Sequence, residues 1–148
     1  MPNDCWNTVR MSGEKETIQA LVEAKFSFET LCPQPVFPPM DISGEDDRWY
    51  HWRNEHWGSK WDRYEYDVVK EGPRGLIVKF TTAWSPPYAL FESLLKKYPD
   101  LWLHCDWREE GGMAGVFVGY TKDKVEIQSM EWQDWCMEEG HYLFAARD

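Results

Sequence analysis

Two pairs of alternating segments, one on each side of a clear helix, leave this chain few ways to fold. Tyr64, Tyr66 and Val68 alternate with Arg63, Glu65 and Asp67, and Leu76, Val78 and Phe80 alternate with Ile77 and Lys79. A period of two reads as paired strands, with Glu71-Gly72-Pro73-Arg74-Gly75 as the hairpin loop between them. Ser85-Pro86 then opens a helix. Ser85 is a capping residue, and Pro86 sits at the first position, where a missing N–H is harmless. Leu90, Phe91, Leu94, Leu95 and Tyr98 form its apolar stripe, and Pro99-Asp100 ends it. Leu101, Leu103, Cys105 and Trp107 share one face of the next strand. Gly111-Gly112 turns the chain, and Val116, Val118 and Tyr120 share a face of the strand after it.

The flanks add less regular pieces. Trp6 to Met11 alternates as a first strand, and Glu14 to Lys25 reads as a helix with Ile18, Leu21 and Val22 on one face. Phe26 and Phe28 suggest a short strand. Pro33, Pro35, Pro38 and Pro39 mark an extended connection whose Val36, Phe37 and Met40 are expected to pack down. Ser43 is a weak helix start, and Glu45 to His56 a short helix with Trp49 and Trp52 inward. Thr121-Lys122-Asp123-Lys124 turns into a strand through Val125, Ile127 and Ser129, and Glu131 to Asp148 suggests a terminal helix.

Short hairpins imply an antiparallel sheet with its helices gathered on one face. The expected fold class is α+β, ferredoxin-like: a largely antiparallel sheet, two main helices on one face and a Trp-rich insertion. One domain is expected over residues 1–148, with the insertion at about 33–61 and a C-terminal extension at about 124–148. A chain of this size buries roughly 70% of its unfolded surface, so no disulfide or metal is needed to hold it.

Composition narrows the function. Ten tryptophans require a core built around aromatics, each indole N–H seeking a partner. Sixteen basic against 26 acidic residues, net −10, disfavour a nucleic-acid binder and an anionic membrane surface. They suit solubility, a basic protein partner or imitation of nucleic acid. No apolar run is long enough to span a bilayer, and the start Met1-Pro2-Asn3-Asp4-Cys5 lacks the basic and apolar regions of a signal peptide. Cys5, Cys32, Cys105 and Cys136 lie far apart without CxxC spacing, which suggests reduced thiols in a bacterial cytoplasm.

Several strings rich in rare residues stand out. They are Trp49-Tyr50-His51-Trp52-Arg53, Asn54-Glu55-His56-Trp57-Gly58-Ser59-Lys60-Trp61-Asp62, Phe80-Thr81-Thr82-Ala83-Trp84-Ser85-Pro86-Pro87, Tyr98-Pro99-Asp100-Leu101 and Glu109-Glu110-Gly111. With the opening Pro2-Asn3-Asp4-Cys5-Trp6-Asn7, they resemble the YubB-like family over most of residues 1–120. Where that family reads Asn-Trp-Gly-Thr-Lys-Trp-Asp, this chain carries His56 and Ser59. The resemblance implies a ferredoxin-like domain and a setting in phages, prophages and conjugative plasmids. It implies no reaction.

Candidate chemistry is sparse. Lys60 and Asp62, two apart, share a face if the chain is extended there, and with Trp57 and Trp61 they make a polar pocket with an aromatic wall. The plainer alternative is a tight turn whose tryptophans enter the core while Lys60 and Asp62 pair. Trp84 lies at a strand-to-helix junction, where Pro86 and Pro87 remove the donors an anion would need. Asp106, Glu109 and Glu110 offer carboxylates beside Trp107, with nothing to set a productive separation. His51 and His56 are five apart, not the zinc-helix spacing, and His104 and His141 stand alone, so no metal and no cofactor is expected. No catalytic motif is recognised.

Two readings stay open. One is a non-enzymatic protein-binding module acting on a host protein, with anti-defence or anti-restriction action and an acidic, DNA-like surface that includes Glu45, Asp46, Asp47, Glu109, Glu110, Glu138 and Glu139. The other is a small-molecule binder or small enzyme whose pocket gathers Lys60, Asp62, Trp84 and Glu109. The candidate ligand- or partner-binding residues are therefore Trp57, Lys60, Trp61, Asp62, Trp84 and Glu109, with no catalytic or metal residue assigned.

Overall fold

In the computed structural model, which describes residues 3–40, 44, 46–120 and 128–132, the first strand carries the register of the whole sheet. Strand β1 (Asp4–Ser12) sets Asn7 between Phe80 and Trp107, Val9 between Val78 and Cys105, and Met11 between Leu76 and Leu103. Those neighbours belong to β3 (Gly75–Ala83) and β4 (Trp102–Glu109), both antiparallel to β1. β2 (Tyr64–Glu71) lies outside β3. β5 (Ala114–Tyr120) and β6 (Gln128–Trp132) continue beyond β4, giving the order β2-β3-β1-β4-β5-β6. Every pairing is antiparallel.

The alternating inner residues need an apolar cover, and two helices supply it. Helix α1 (Lys15–Glu23) contributes Ile18 and Leu21, and α4 (Tyr88–Lys97) contributes Leu90, Phe91, Leu94 and Leu95, all buried in one core with the sheet. Each such side chain stabilises the fold by about 1.5–3 kcal/mol. The two shorter helices are α2 (Phe28–Leu31) and α3 (Arg48–His56). The strand order and the two covering helices make this the expected α+β, ferredoxin-like fold with two added strands.

Local departures have physical causes. Phe26 and Phe28 are buried but form no strand. Lys25 and Phe26 take left-handed backbone at φ 52° and 51°, and Ser27 caps α2 by accepting from the Thr30 N–H. Val36 is 97% exposed and Met40 is exposed, so only Phe37 of the proline-rich connection packs, under the Arg48 guanidinium at 5.1 Å. An extended proline segment without a partner strand cannot turn alternate side chains inward. Trp49 and Trp52 are half-buried; Trp52 stacks on His56 at 4.4 Å and meets the core edge-on at Trp57. Ser43 and Glu45 fall outside the described residues, as do Val125, Ile127 and most of the expected terminal helix. Glu131 and Trp132 belong to β6 instead.

On β5 the core-facing set is Gly115, Phe117 and Gly119, not Val116, Val118 and Tyr120. Phe117 stacks on Tyr88 at 5.2 Å, and Gly119 leaves room for Leu95, whose Cδ1 lies 2.2 Å from where a Cβ would stand. The β2–β3 pairing shifts register twice, between Tyr64 and Asp67 and between Val68 and Lys70. No helix among the described residues is long and apolar enough to cross a membrane.

Cys5 and Cys105 lie in the core on either side of Asn7. Burial pushes the Cys5 thiol up to about 12 and that of Cys105 well above its ordinary value. A thiol so held does not form the thiolate that alkylating reagents attack. Iodoacetamide at pH 8 is expected to leave both unmodified in the native protein and to label both after denaturation, as read by peptide mass spectrometry. Native-state labelling of either would contradict this packing.

Candidate functional site

The Trp57–Asp62 segment and the Thr82–Pro87 turn lock together. Trp57, 1% exposed, donates from Nε1 to the Cys32 carbonyl at 2.8 Å and sets its ring against Phe28. Its own carbonyl accepts the Leu90 N–H at 3.3 Å, satisfying a donor that the first turn of α4 would otherwise leave bare. Gly58 follows at φ 81°, where a Cβ would stand 3.0 Å from the Tyr88 nitrogen and 3.2 Å from that of Ala89. Only glycine permits both that backbone and that approach. The Gly58 carbonyl then accepts the Ser85 hydroxyl at 2.9 Å.

The rest of the segment is committed elsewhere. The Asp62 carboxylate accepts the backbone N–H groups of Phe28 at 2.9 Å and Glu29 at 3.1 Å, and the Ser27 hydroxyl at 3.0 Å. It therefore caps α2 from outside that helix. Lys60 places Nζ 4.4 Å over the Trp61 ring and makes no ion pair with Asp62. Trp57 and Asp62 line a hollow of about 610 Å³ with Trp49 and Arg53. Its guanidinium is already in use, stacked between Trp49 and Trp57 at 5.0 Å each and bonded to Gln34 at 2.7 Å. Lys60, Asp62, Trp84 and Glu109 thus do not converge.

Trp84 and Glu109 do come together. Trp84 sits at φ 72°, and the Ser85 N–H closes a three-residue turn on the Ala83 carbonyl at 2.9 Å, a γ-turn of the strained hand. Such backbone in a bulky residue costs about 1–3 kcal/mol and persists only where neighbours enforce it. Here the Trp84 N–H donates to Asn3 O at 2.9 Å, and Thr82 Oγ1 donates to Ser85 O at 2.7 Å. Thr82 is held in turn by the buried Asn7, whose Nδ2 also donates to the Cys5 carbonyl. Ser85 does not cap α4: the helix begins at Tyr88, with Pro87 at φ −83°, ψ 63° in the capping position. A residue preceding proline is kept out of the helical region, so Pro86 cannot serve as the first helical residue.

This turn pushes the Trp84 ring out, 54% exposed, over a cleft of about 480 Å³. Tyr88, Trp107, Ala89 and Met113 give the cleft apolar surface, and Glu92 and Glu109 are its charged groups; among the described residues no Lys, Arg or His lines it. Trp107 donates from Nε1 to the Tyr88 hydroxyl at 2.7 Å. Asn3 Nδ2 holds Glu109 Oε1 at 2.6 Å, and Gly111 leaves the space the carboxylate fills, since a Cβ there would lie 2.7 Å from Oε2. Among the described residues neither Glu92 nor Glu109 has a basic partner within ion-pair distance. Four other candidate acids are engaged locally: Asp106 pairs with Arg10 at 2.7 Å, Glu110 accepts the Asp4 N–H, Asp46 pairs with Arg48 and Asp47 with His51, while Glu45, Glu138 and Glu139 fall outside the described residues. The cleft suits a planar or cationic group. The Ser85 hydroxyl on its wall already donates to the Gly58 carbonyl. The described residues hold no cluster of three or more metal-ligating side chains. Sequence reasoning missed Asn3, Asn7, Tyr88 and Glu92.

Residues 56–142, more than half of the chain, match the model of a protein family described as the ferredoxin-like domain in Api92-like protein. No curated protein and no solved structure matches the chain.

If the interlock is structural and Trp84 is not, their variants separate. Gly58→Ala is expected to lose about 2 kcal/mol or more in urea unfolding, from backbone strain plus the clash with Tyr88. Trp84→Gly relieves its turn and is expected to stay within about 1 kcal/mol of the parent. A Trp84→Gly variant as damaged as Gly58→Ala would make Trp84 a structural residue.

Proposed function

We propose that this chain, which belongs to the family of the ferredoxin-like domain in Api92-like protein, is a non-enzymatic binding module that docks onto a host protein through the Trp84 cleft. The observation that carries this reading is a large aromatic ring held outward on strained backbone by at least three hydrogen bonds, beside carboxylates that have no basic partner among the described residues. Strain of this kind gathers where a surface must present a group in one orientation. Exposed tryptophans seated in pockets are the residues that anchor protein interfaces. A net charge of −10 favours a basic partner and speeds encounter with it.

The resemblance to YubB-like proteins supports the setting: a phage, prophage or conjugative plasmid product, working in the bacterial cytoplasm on a host factor, with anti-defence or anti-restriction action. An extended DNA-like acidic surface has less support, since Asp46, Asp47 and Glu110 are taken up by local partners. A second reading, capture of a small organic cation, rests on the size of the cleft and on Glu92 and Glu109.

The test is a tagged pull-down from nuclease-treated lysate of a bacterial host, run in parallel with wild type and Trp84→Gly. A host protein retained stoichiometrically by wild type and lost from the variant is expected. Retention that ignores position 84, or no retained protein, would remove the reading.

A further inference from the structure

Resting on the reading of the cleft as the docking centre, we infer that its occupant is the guanidinium group of an arginine in the partner polypeptide. Among the described residues, the cleft presents the exposed indole of Trp84 and two carboxylates, Glu92 and Glu109. An anionic group such as a phosphate is repelled by both acids. A neutral ring would cover the indole and leave two carboxylates desolvated with no cation to offset them, an unfavourable burial of charge. A cation that is also planar satisfies both features.

Arginine fits better than lysine on three grounds. Its flat, weakly hydrated head stacks on indole, where an ammonium keeps its water. Its fork of donors matches a carboxylate held in one orientation, and Glu109 is so held, with Asn3 fixing Oε1 at 2.6 Å. Its apolar stem needs apolar surface, which Ala89 and Met113 supply in the lining of the same cleft. Glu92, one helical turn beyond Tyr88 on α4, supplies further negative charge.

The experiment is a heteronuclear NMR titration of the full chain, at physiological salt, with a short glycine-flanked peptide bearing one central arginine. Lysine and citrulline versions run in parallel. The arginine peptide is expected to shift the Trp84 indole resonance and to bind about tenfold more tightly than the lysine peptide, with the citrulline peptide weaker still. Glu109→Gln, which keeps the acceptor for Asn3, and Trp84→Gly are each expected to lower arginine affinity about tenfold. Binding of lysine as tight as arginine, no binding of any peptide, or an arginine affinity indifferent to Glu109→Gln overturns the inference. The two claims fail separately. A host protein released by Trp84→Gly without arginine preference removes only the arginine assignment. Arginine-selective binding with no retained host protein removes only the host partner.

Discussion

The contact on which the candidate surface depends is a backbone one, the Trp57 carbonyl on the first turn of α4 with Gly58 pressed against Tyr88 and Ala89. A helix start normally finds its acceptors in its own capping residue. Pro86 and Pro87 deny α4 that option, and an acceptor arrives from the segment that follows α3 instead. The same contact brings the Gly58 carbonyl to Ser85 and so braces the turn that carries Trp84. Helix start, insertion and exposed ring form one mechanical unit.

That arrangement explains which features were legible in the sequence. Elements set by period were: β1, α1, the β2–β3 hairpin, α4 and β4 follow from where apolar residues recur, because burial against one core enforces the period. Elements set by distant polar contacts were not. Helix α2 depends on a carboxylate 34 positions further along the chain, at Asp62, and without it Phe26 and Phe28 look like a strand. On β5, two glycines around Phe117 hide the core face, since the space they leave is invisible to hydropathy.

The candidate site was half legible for the same reason. Trp84 and Glu109 stand out as an aromatic and an acid, and the fold unites them. Lys60 and Asp62 stand out equally, yet one lies over Trp61 and the other ends a helix. Spacing assumed an extended chain where Gly58 makes a turn. No residue type announces a strained γ-turn at a tryptophan, or that the buried Asn7 supports it through Thr82.

The two register shifts on β2 carry a consequence of their own. β2 is an outermost strand, with Val68 and Val69 open to solvent between Asp67 and Lys70. A straight strand of that composition is a template on which further chains stack. Each bulge twists the edge and puts its free N–H and C=O groups out of step with any regular strand laid alongside. The irregularity therefore works against edge-to-edge pairing along β2 and so against fibre growth from that side of the sheet.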